Sequence, residues 1–358
     1  MFQQELSKQK DLLASLHYIH YHEAAMNTRF LIFIGTFLSI IFLATSVVTS
    51  FVSLAFSWPL STALLATITF FALVVSYIIG DQLANRTDQF YMKWLGGIFM
   101  GGLSVSFTVS LLGHALLAWT EIPKYLLGLG GLGLMVFLTL LGLLFNYVRP
   151  AVITKRLAIA KLSTPLRIVQ VTDLHFNGLK RLKWAKDIVE TVNALNPDIV
   201  VFTGDFADVA YRHIQKQVAV LAGIQAKIGK FAVSGNHDFY NGYSLYQDML
   251  KEIGFTFIDN QVVSAGPVQI LGLPDKDGES RDKVFRRPIS ELVKSASTQD
   301  PIIVLDHRPE HILENVAEPI ALQLSGHTHS GQIPPFNMIV RLWYKYSVGL
   351  HHVNDSWV

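Results

Sequence analysis

The sequence predicts an α/β domain of two packed sheets with outer helices, carried behind a four-helix transmembrane domain. Three observations predict it. Four long apolar blocks without Asp, Glu, Lys or Arg fill most of the first 150 residues. From about residue 167 onward, short apolar runs alternate with stretches of helical spacing, the pattern of an α/β domain. Five of those runs end in a short polar signal rich in Asp, His and Asn.

At 358 residues the chain suits two domains, and hydrophobic residues make up 51% of it against 16% charged. With a mean hydropathy of +0.36 it is too apolar for a soluble enzyme of this size, so a membrane part is implied. A formal net charge of +2 gives no bulk attraction to nucleic acid, and no nucleic-acid partner is expected. Cysteine is absent, which excludes disulfides and thiolate metal sites. Any metal must therefore be held by His, Asp, Glu or Asn.

Residues 1–28 place Leu6, Leu12, Leu13, Leu16 and Ile19 at helical spacing and read as an amphipathic helix at the membrane surface. His17, His20 and His22 belong to that interfacial segment. Within residues 29–148, apolar blocks at 30–56, 60–80, 95–119 and 125–148 each reach the ~20 residues that span a bilayer. Ser57-Trp58-Pro59, the polar segment 81–93 and the segment 120–124 separate them. Lys8, Lys10, Arg29, Arg86, Lys93, Arg149, Lys155, Arg156 and Lys161 flank one side, and only Lys124 the other. The excess predicts a multi-pass inner-membrane protein with both termini and the second domain on the cytoplasmic side. Gly97 and Gly101, with Gly128, Gly130, Gly131 and Gly133, are candidates for close helix contacts, and His114 reads as a hydrogen-bonded packing residue. No charged pathway crosses the spans, which argues against transport. Residues 149–166 form a basic connector whose cations would face anionic headgroups.

The second domain, 167–358, begins with a strand at 167–172, followed by a helix at 183–195 that Asn196-Pro197 stops. Strands at 199–203 and 230–234 enclose a helix at 213–226. Short strands near 255–258, 262–264 and 268–272 read as a meander, and strands at 302–305 and 321–325 complete the series.

The polar signals are Asp173-Leu174-His175, Gly204-Asp205, Gly235-Asn236-His237-Asp238, Asp306-His307 and Gly326-His327-Thr328-His329. Each follows an apolar run, so five loops are expected to converge on one sheet edge, where open α/β sheets bind ligands. Alternate residues of an extended segment point alike, so Asp173 and His175 can reach one cation, as can His327 and His329. The two oxygens of Asp205 can bridge two cations ~3.5–4 Å apart. Hard oxygen with imidazole nitrogen suits Mn²⁺, Fe or Zn²⁺ better than Ca²⁺ or Mg²⁺.

In this order the five signals resemble the calcineurin-like metallophosphoesterase superfamily, over roughly residues 167–350. The resemblance implies a two-sheet sandwich flanked by helices. It implies two divalent cations, Mn²⁺ first and Fe or Zn²⁺ as alternatives, with Asp173, His175 and His329 holding one, Asn236, His307 and His327 the other, and Asp205 between them. His237 corresponds to the histidine that donates to the phosphoryl group, and Asp208 either orients it or caps the helix before Tyr211. Asp238 corresponds to a supporting residue behind the ligands. The implied activity is hydrolysis of a phosphodiester or pyrophosphate. A membrane-held site favours an amphiphilic or nucleotide-linked substrate such as UDP-2,3-diacylglucosamine, with the phospholipid bilayer as partner. Lys180, Arg181, Lys183, Arg281, Lys283, Arg286 and Arg287 are candidates for gripping further phosphates. A catalytically silent scaffold is the alternative, and the intact ligand set argues against it. Related domains continue beyond the strand expected at 346–349, whereas this chain ends at Val358, so an incomplete sheet edge is expected.

Overall fold

The computed structural model describes residues 35–358 apart from 88–89, 146–147, 178–179, 210, 241, 298 and 333–335, and only the backbone of 77–96. The amphipathic segment expected at 1–28 lies outside the described residues. The chain divides into two compact units, Met1–Ala84 with Tyr91–Leu141, and Asn85–Phe90 with Gly142–Val358.

The first unit contains helices α1 (Gly35–Phe56), α2 (Leu60–Thr87), α3 (Phe90–Leu117) and α4 (Lys124–Phe145). Three of them, over Gly35–Phe56, Gly97–Leu117 and Lys124–Phe145, are long and apolar enough to cross a membrane. The apolar part described in α2 is the shorter Leu60–Ser76. Within the polar segment 81–93 the backbone extends α2 to Thr87 and starts α3 at Phe90.

Packing in this unit centres on Phe51, which is 1% exposed. A side chain at Gly113 or Gly131 would collide with its ring, and one at Gly128 with the backbone of Ala55. Gly97, Gly101, Gly130 and Gly133 face open space among the described residues, so the Gly97/Gly101 pair makes no close contact here. His114 Nδ1–H donates to the carbonyl of Ser110 at 2.9 Å and its Nε2 lies 3.2 Å from Ser50 Oγ, with the Phe51 ring beside it.

The second unit holds two sheets. In the first, β1 (Ile168–Val171), β2 (Ile199–Phe202), β3 (Gly229–Ala232) and β4 (Thr256–Phe257) run parallel in that order. In the second the order is β5 (Gln261–Ala265), β6 (Val268–Leu273), β7 (Ile302–Asp306), β8 (Leu322–Leu324), β10 (Ser356–Trp357), β9 (His352–Val353). The meander expected at 255–272 is split: β4 edges the first sheet, and only β5 and β6 pair antiparallel. Residues 346–349 form no strand, and the hairpin of β9 and β10 lies against β8 instead.

Parallel strands need covered faces, and the apolar runs supply the cover. Helices α5 (Leu182–Ala194), α6 (Gln215–Leu221) and α8 (Tyr243–Glu252) pack Ile188, Val218 and Leu250 onto Val200 and Phe202. A second cluster joins Ile199, Val201, Phe231 and Val233 of the first sheet region to Ile270, Ile303, Leu305 and Leu322 of the second. Short helices α9 (Asp277–Arg281), α10 (Ile289–Lys294) and α11 (Ile312–Asn315) follow, with α7 (Asn236–Tyr240) and α12 (Phe336–Trp343) beside the polar loops. Of these, α10 and α11 close the outer face of β6 and β7 through Leu292 and Ile312. The connector packs Leu157, Ile159 and Leu162 on the second cluster, and Arg149 pairs with Asp187 and Glu190 of α5 at 2.9 and 3.0 Å rather than standing free.

Candidate metal centre

The five polar loops leave the ends of strands from both sheets, not one. Asp173, Asp205 and Asn236 follow β1, β2 and β3, whereas His307 and His327 follow β7 and β8. The shared apolar cluster brings the two sets of strand ends together, and Gln170 ties them by donating to Thr203 Oγ1 and to the carbonyl of Ser325, both at 2.9 Å. The loops then brace each other through their backbones. Asp173 N–H donates to Gly204, His175 N–H to Asp205 and Gly326 N–H to His307.

Strain is concentrated here. Asp173, His175, Asp205, His327 and His329 all have positive φ, between 44° and 70°, a region that non-glycine residues seldom enter. Such conformations cost of order 1–3 kcal/mol each and persist only where the surroundings impose them. Gly204, at φ +95°, and Gly235 approach so closely that a Cβ on Gly204 would lie 2.5 Å from the Gly235 nitrogen.

The side chains form three groups of possible ligand atoms, each within 4.8 Å: Asp173, His175 and His329; Asp205, His307 and His327; and His175, Asp208 and His237. In the first group His329 Nε2 lies 3.4 Å from Asp173 Oδ1 and 3.0 Å from His175 Nε2. In the second, His307 Nε2 lies 3.2 Å from both Asp205 Oδ2 and Asn236 Oδ1. Asp205 Oδ2 also lies 3.6 Å from His175 Nε2, so one carboxylate oxygen touches both groups.

Supporting bonds aim these atoms. His307 Nδ1–H donates to the Thr203 carbonyl at 2.7 Å, which turns Nε2 inward. Asp173 accepts from Thr172 Oγ1 and from the His327 N–H, and Asp205 Oδ1 accepts from the His237 N–H. Buried Asp238 accepts from the N–H groups of Asp205, Phe206 and Gly235 at 2.7–2.9 Å, tying two loops together from behind. Asp208 Oδ1 accepts from His175 Nδ1 at 2.7 Å and from His237 Nδ1 at 2.8 Å. Sequence reasoning missed Tyr240, whose hydroxyl accepts from Asn236 Nδ2 at 3.3 Å and leaves Oδ1 for the centre. Its place four residues along the same short helix was the available signal. The Thr203 carbonyl had none, being backbone.

Protonation follows from these contacts. Burial disfavours the charge on His307, but its bond to Asp205 prevails and holds it up at about 9. Burial would raise Asp205 and Asp208, yet bonds from His307 to the one, and from His175 and His237 to the other, hold both well below the carboxylate range. Burial and the neighbouring charges of His307 and Arg308 push His327 down to about 4, which leaves a neutral imidazole with a free lone pair. Burial and the Asp205 charge lift Asp238 to about 7 against the three N–H groups it binds. The donor set fits divalent cations: the carboxylates of Asp173 and Asp205, the Asn236 amide oxygen and converging imidazole nitrogens, with a proton on His307 held where a cation would compete for it.

The basic candidates are mostly engaged. Half-buried Arg286 forms a two-pronged pair with buried Asp306, at 2.9 and 2.7 Å, and is not available to grip phosphate. Lys183 pairs with Asp187, Arg287 lies 3.7 Å from Glu291, and Lys180 stacks over Trp184. Arg281 stays beside the centre, its guanidinium 4.2 Å over the Tyr240 ring.

The sequence profile of the calcineurin-like phosphoesterases matches residues 166–331. An uncharacterised metallophosphoesterase of Bacillus subtilis, YkuE, is 33% identical over 203 residues, 53% of this chain and 68% of that protein. An uncharacterised metallophosphoesterase of Helicobacter pylori is 31% identical over 57% of this chain and 55% of its own. A transmembrane protein with metallophosphoesterase domain from Danio rerio is 26% identical over 58% of this chain and 50% of its own. The chain thus spans about half the length of the Helicobacter and Danio relatives it matches. On the profile match, the Bacillus relative and the grouping of Asp, His and Asn at the strand ends, the chain belongs to the calcineurin-like phosphoesterase family.

Proposed function

We propose that the protein is a membrane-anchored phosphoesterase using two divalent cations, Mn²⁺ by preference, to hydrolyse a phosphodiester or pyrophosphate bond. The observation that carries this reading is the placing of Asp205 Oδ2 within 3.6 Å of His175 and 3.2 Å of His307, one acid shared by two ligand groups. Asp173, His175 and His329 would hold one cation and Asn236, His307 and His327 the other. When bound, such a pair supplies Lewis acidity and an activated water.

The chain's own residues supply orientation and proton transfer. With Nδ1 engaged by Asp208, the Nε2 edge of half-buried His237 is left to face a bound phosphoryl group and to give a proton to the departing oxygen. Asp208, held ionised by its two histidine partners, keeps that ring oriented through the Nδ1 contact at 2.8 Å. Tyr240 and the Thr203 carbonyl fix Asn236 and His307, so the ligand atoms meet a substrate already aimed.

The three membrane-length helices and the transmembrane relatives favour a substrate carried by the membrane, amphiphilic or nucleotide-linked, and UDP-2,3-diacylglucosamine is the compound to test first. A fourth span through α2, a two-sheet sandwich and an inner-membrane location with a cytoplasmic catalytic domain complete the proposal. The test is hydrolysis by Mn²⁺-reconstituted protein of bis-p-nitrophenyl phosphate, UDP-2,3-diacylglucosamine and simple phosphomonoesters. His237→Ala is expected to keep its metal content and lose ~10²–10⁴-fold in turnover. Wild-type turnover in that variant, or no turnover by metal-loaded wild type on any substrate, would overturn the reading.

A further inference from the structure

Helix α12 turns its apolar side outward. Phe336, Met338, Ile339, Leu342 and Trp343 are all exposed, Leu342 at 84% and Trp343 at 81%, while none of the helix's residues is buried. At 100° per residue these five occupy one continuous arc of the helix, and the half-buried Asn337, Val340 and Tyr344 occupy the opposite side. Exposed Arg341 and Lys345 lie at the polar border of the arc. An apolar face edged by cations, with Trp, Phe and Leu on it, has the makeup of a helix that lies in a bilayer interface.

We infer that α12 seats this face in the lipid bilayer, beside the entrance to the metal centre. Chain length keeps a bilayer close: the last membrane-length helix ends at Phe145, and Arg149 is already held by Asp187 and Glu190 of α5. The few residues between reach at most ~14 Å when fully extended. The size of the face argues for lipid over a second copy of the chain. Eight residues make a helix only ~12 Å long and ~10 Å across, so one side covers on the order of 100 Å², far short of the ~800 Å² each partner gives to a stable protein interface. The cations complement anionic headgroups.

The placement also connects the interface with the chemistry. Directly after α12, the Tyr344 ring lies 6.0 Å from that of His327, and its hydroxyl donates to Glu310 at 3.1 Å. Tyr344 and Trp343 line a cavity of about 590 Å³ together with Leu313, Ile312, Arg308 and Lys276. Glu310, which pairs with Lys276, lines it too, and Arg308 is held by Asp275 and Asp277. The cavity thus offers an apolar wall beside a paired polar end, which suits the apolar part of an amphiphile entering from the membrane. This rests on the membrane-anchored part of the proposed function and not on hydrolysis.

The absence of cysteine makes the test direct. Single nitroxide labels are placed at Leu342→Cys, Met338→Cys and, as control, the exposed Lys294→Cys, in the full chain reconstituted into phosphatidylethanolamine–phosphatidylglycerol vesicles. Labels at 342 and 338 are expected to collide with oxygen in preference to a water-soluble nickel chelate, with a ratio about tenfold above that at 294. A ratio at 342 and 338 equal to that at 294 would overturn the inference. Shielding from both reagents, as a covering protein segment or a second copy would produce, would also overturn it. Neither readout depends on turnover, so loss of the hydrolase reading would leave the result standing.

Discussion

Asp208 is the residue on which two functions meet. A single oxygen accepts from the Nδ1 atoms of His175, a candidate ligand, and His237, the candidate acid. Removing it frees both rings at once, so Asp208→Ala is expected to lower turnover on bis-p-nitrophenyl phosphate and bound metal together, each by about 10–100-fold. Metal analysis beside steady-state kinetics checks it, and His237→Ala, which touches only the acid, provides the contrast. Unchanged metal content in Asp208→Ala would mean that the His175 bond has no positioning role. The same scale shows why the residues around the centre were legible from the sequence. Asp173, Asp205, His307 and His327 each stand just past an apolar run, where a polar side chain has a reason to be other than packing. What could not be read was the backbone strain of five such residues, because positive φ in Asp and His has no mark in composition.

At the scale of elements, a layer of buried acids lies beneath the loops, and it carries the pH behaviour. Asp259, following β4, accepts from the Ser234 N–H and hydroxyl and from Tyr243, and burial lifts its carboxyl to about 7. A carboxyl raised in the folded state keeps a proton that the unfolded chain has released. Its contribution to stability is therefore full below the ordinary value of 3.8 and is lost as pH climbs to about 7. Asp238 adds a second group with the same direction and window. Asp259→Asn cannot ionise and should remove about half of this fall, read from thermal midpoints of the detergent-solubilised protein between about pH 4.5 and 7.5. An unchanged slope would assign the effect elsewhere. Element assignments failed where elements were short: α7, α9 and α11 have four or five residues, too few for helical periodicity to appear. The split meander failed for another reason. Strand β4 has only two residues, and nothing local says that its partner is β3 across α7 and α8 and not β5 next to it.

For the whole molecule the two units should answer differently to metal removal. Cations bound to the folded second unit stabilise it by mass action, about 2.7 kcal/mol at a hundredfold excess over Kd. For a unit of this size that amounts to a thermal shift of about 5–10 °C. Chelation is expected to lower the calorimetric transition of the second unit by that amount and to leave the helical unit's transition in place. A shift in both, or in neither, would count against a metal centre confined to the strand-end loops.

The sequence by itself determined that apolar helices precede an α/β domain, and which Asp, His and Asn residues were candidates for one centre. Those properties are local: hydrophobic length, alternation, and the residue type that follows a run. Only the tertiary structure decided that the loops come from two sheets, that Asp208 serves two histidines, that Arg286 is spent on buried Asp306, and that α12 presents its apolar side outward. Those depend on which distant surfaces pack together. A side chain's partner is chosen by the burial of whole sheets and helices, and that choice is not encoded in any short stretch of chain.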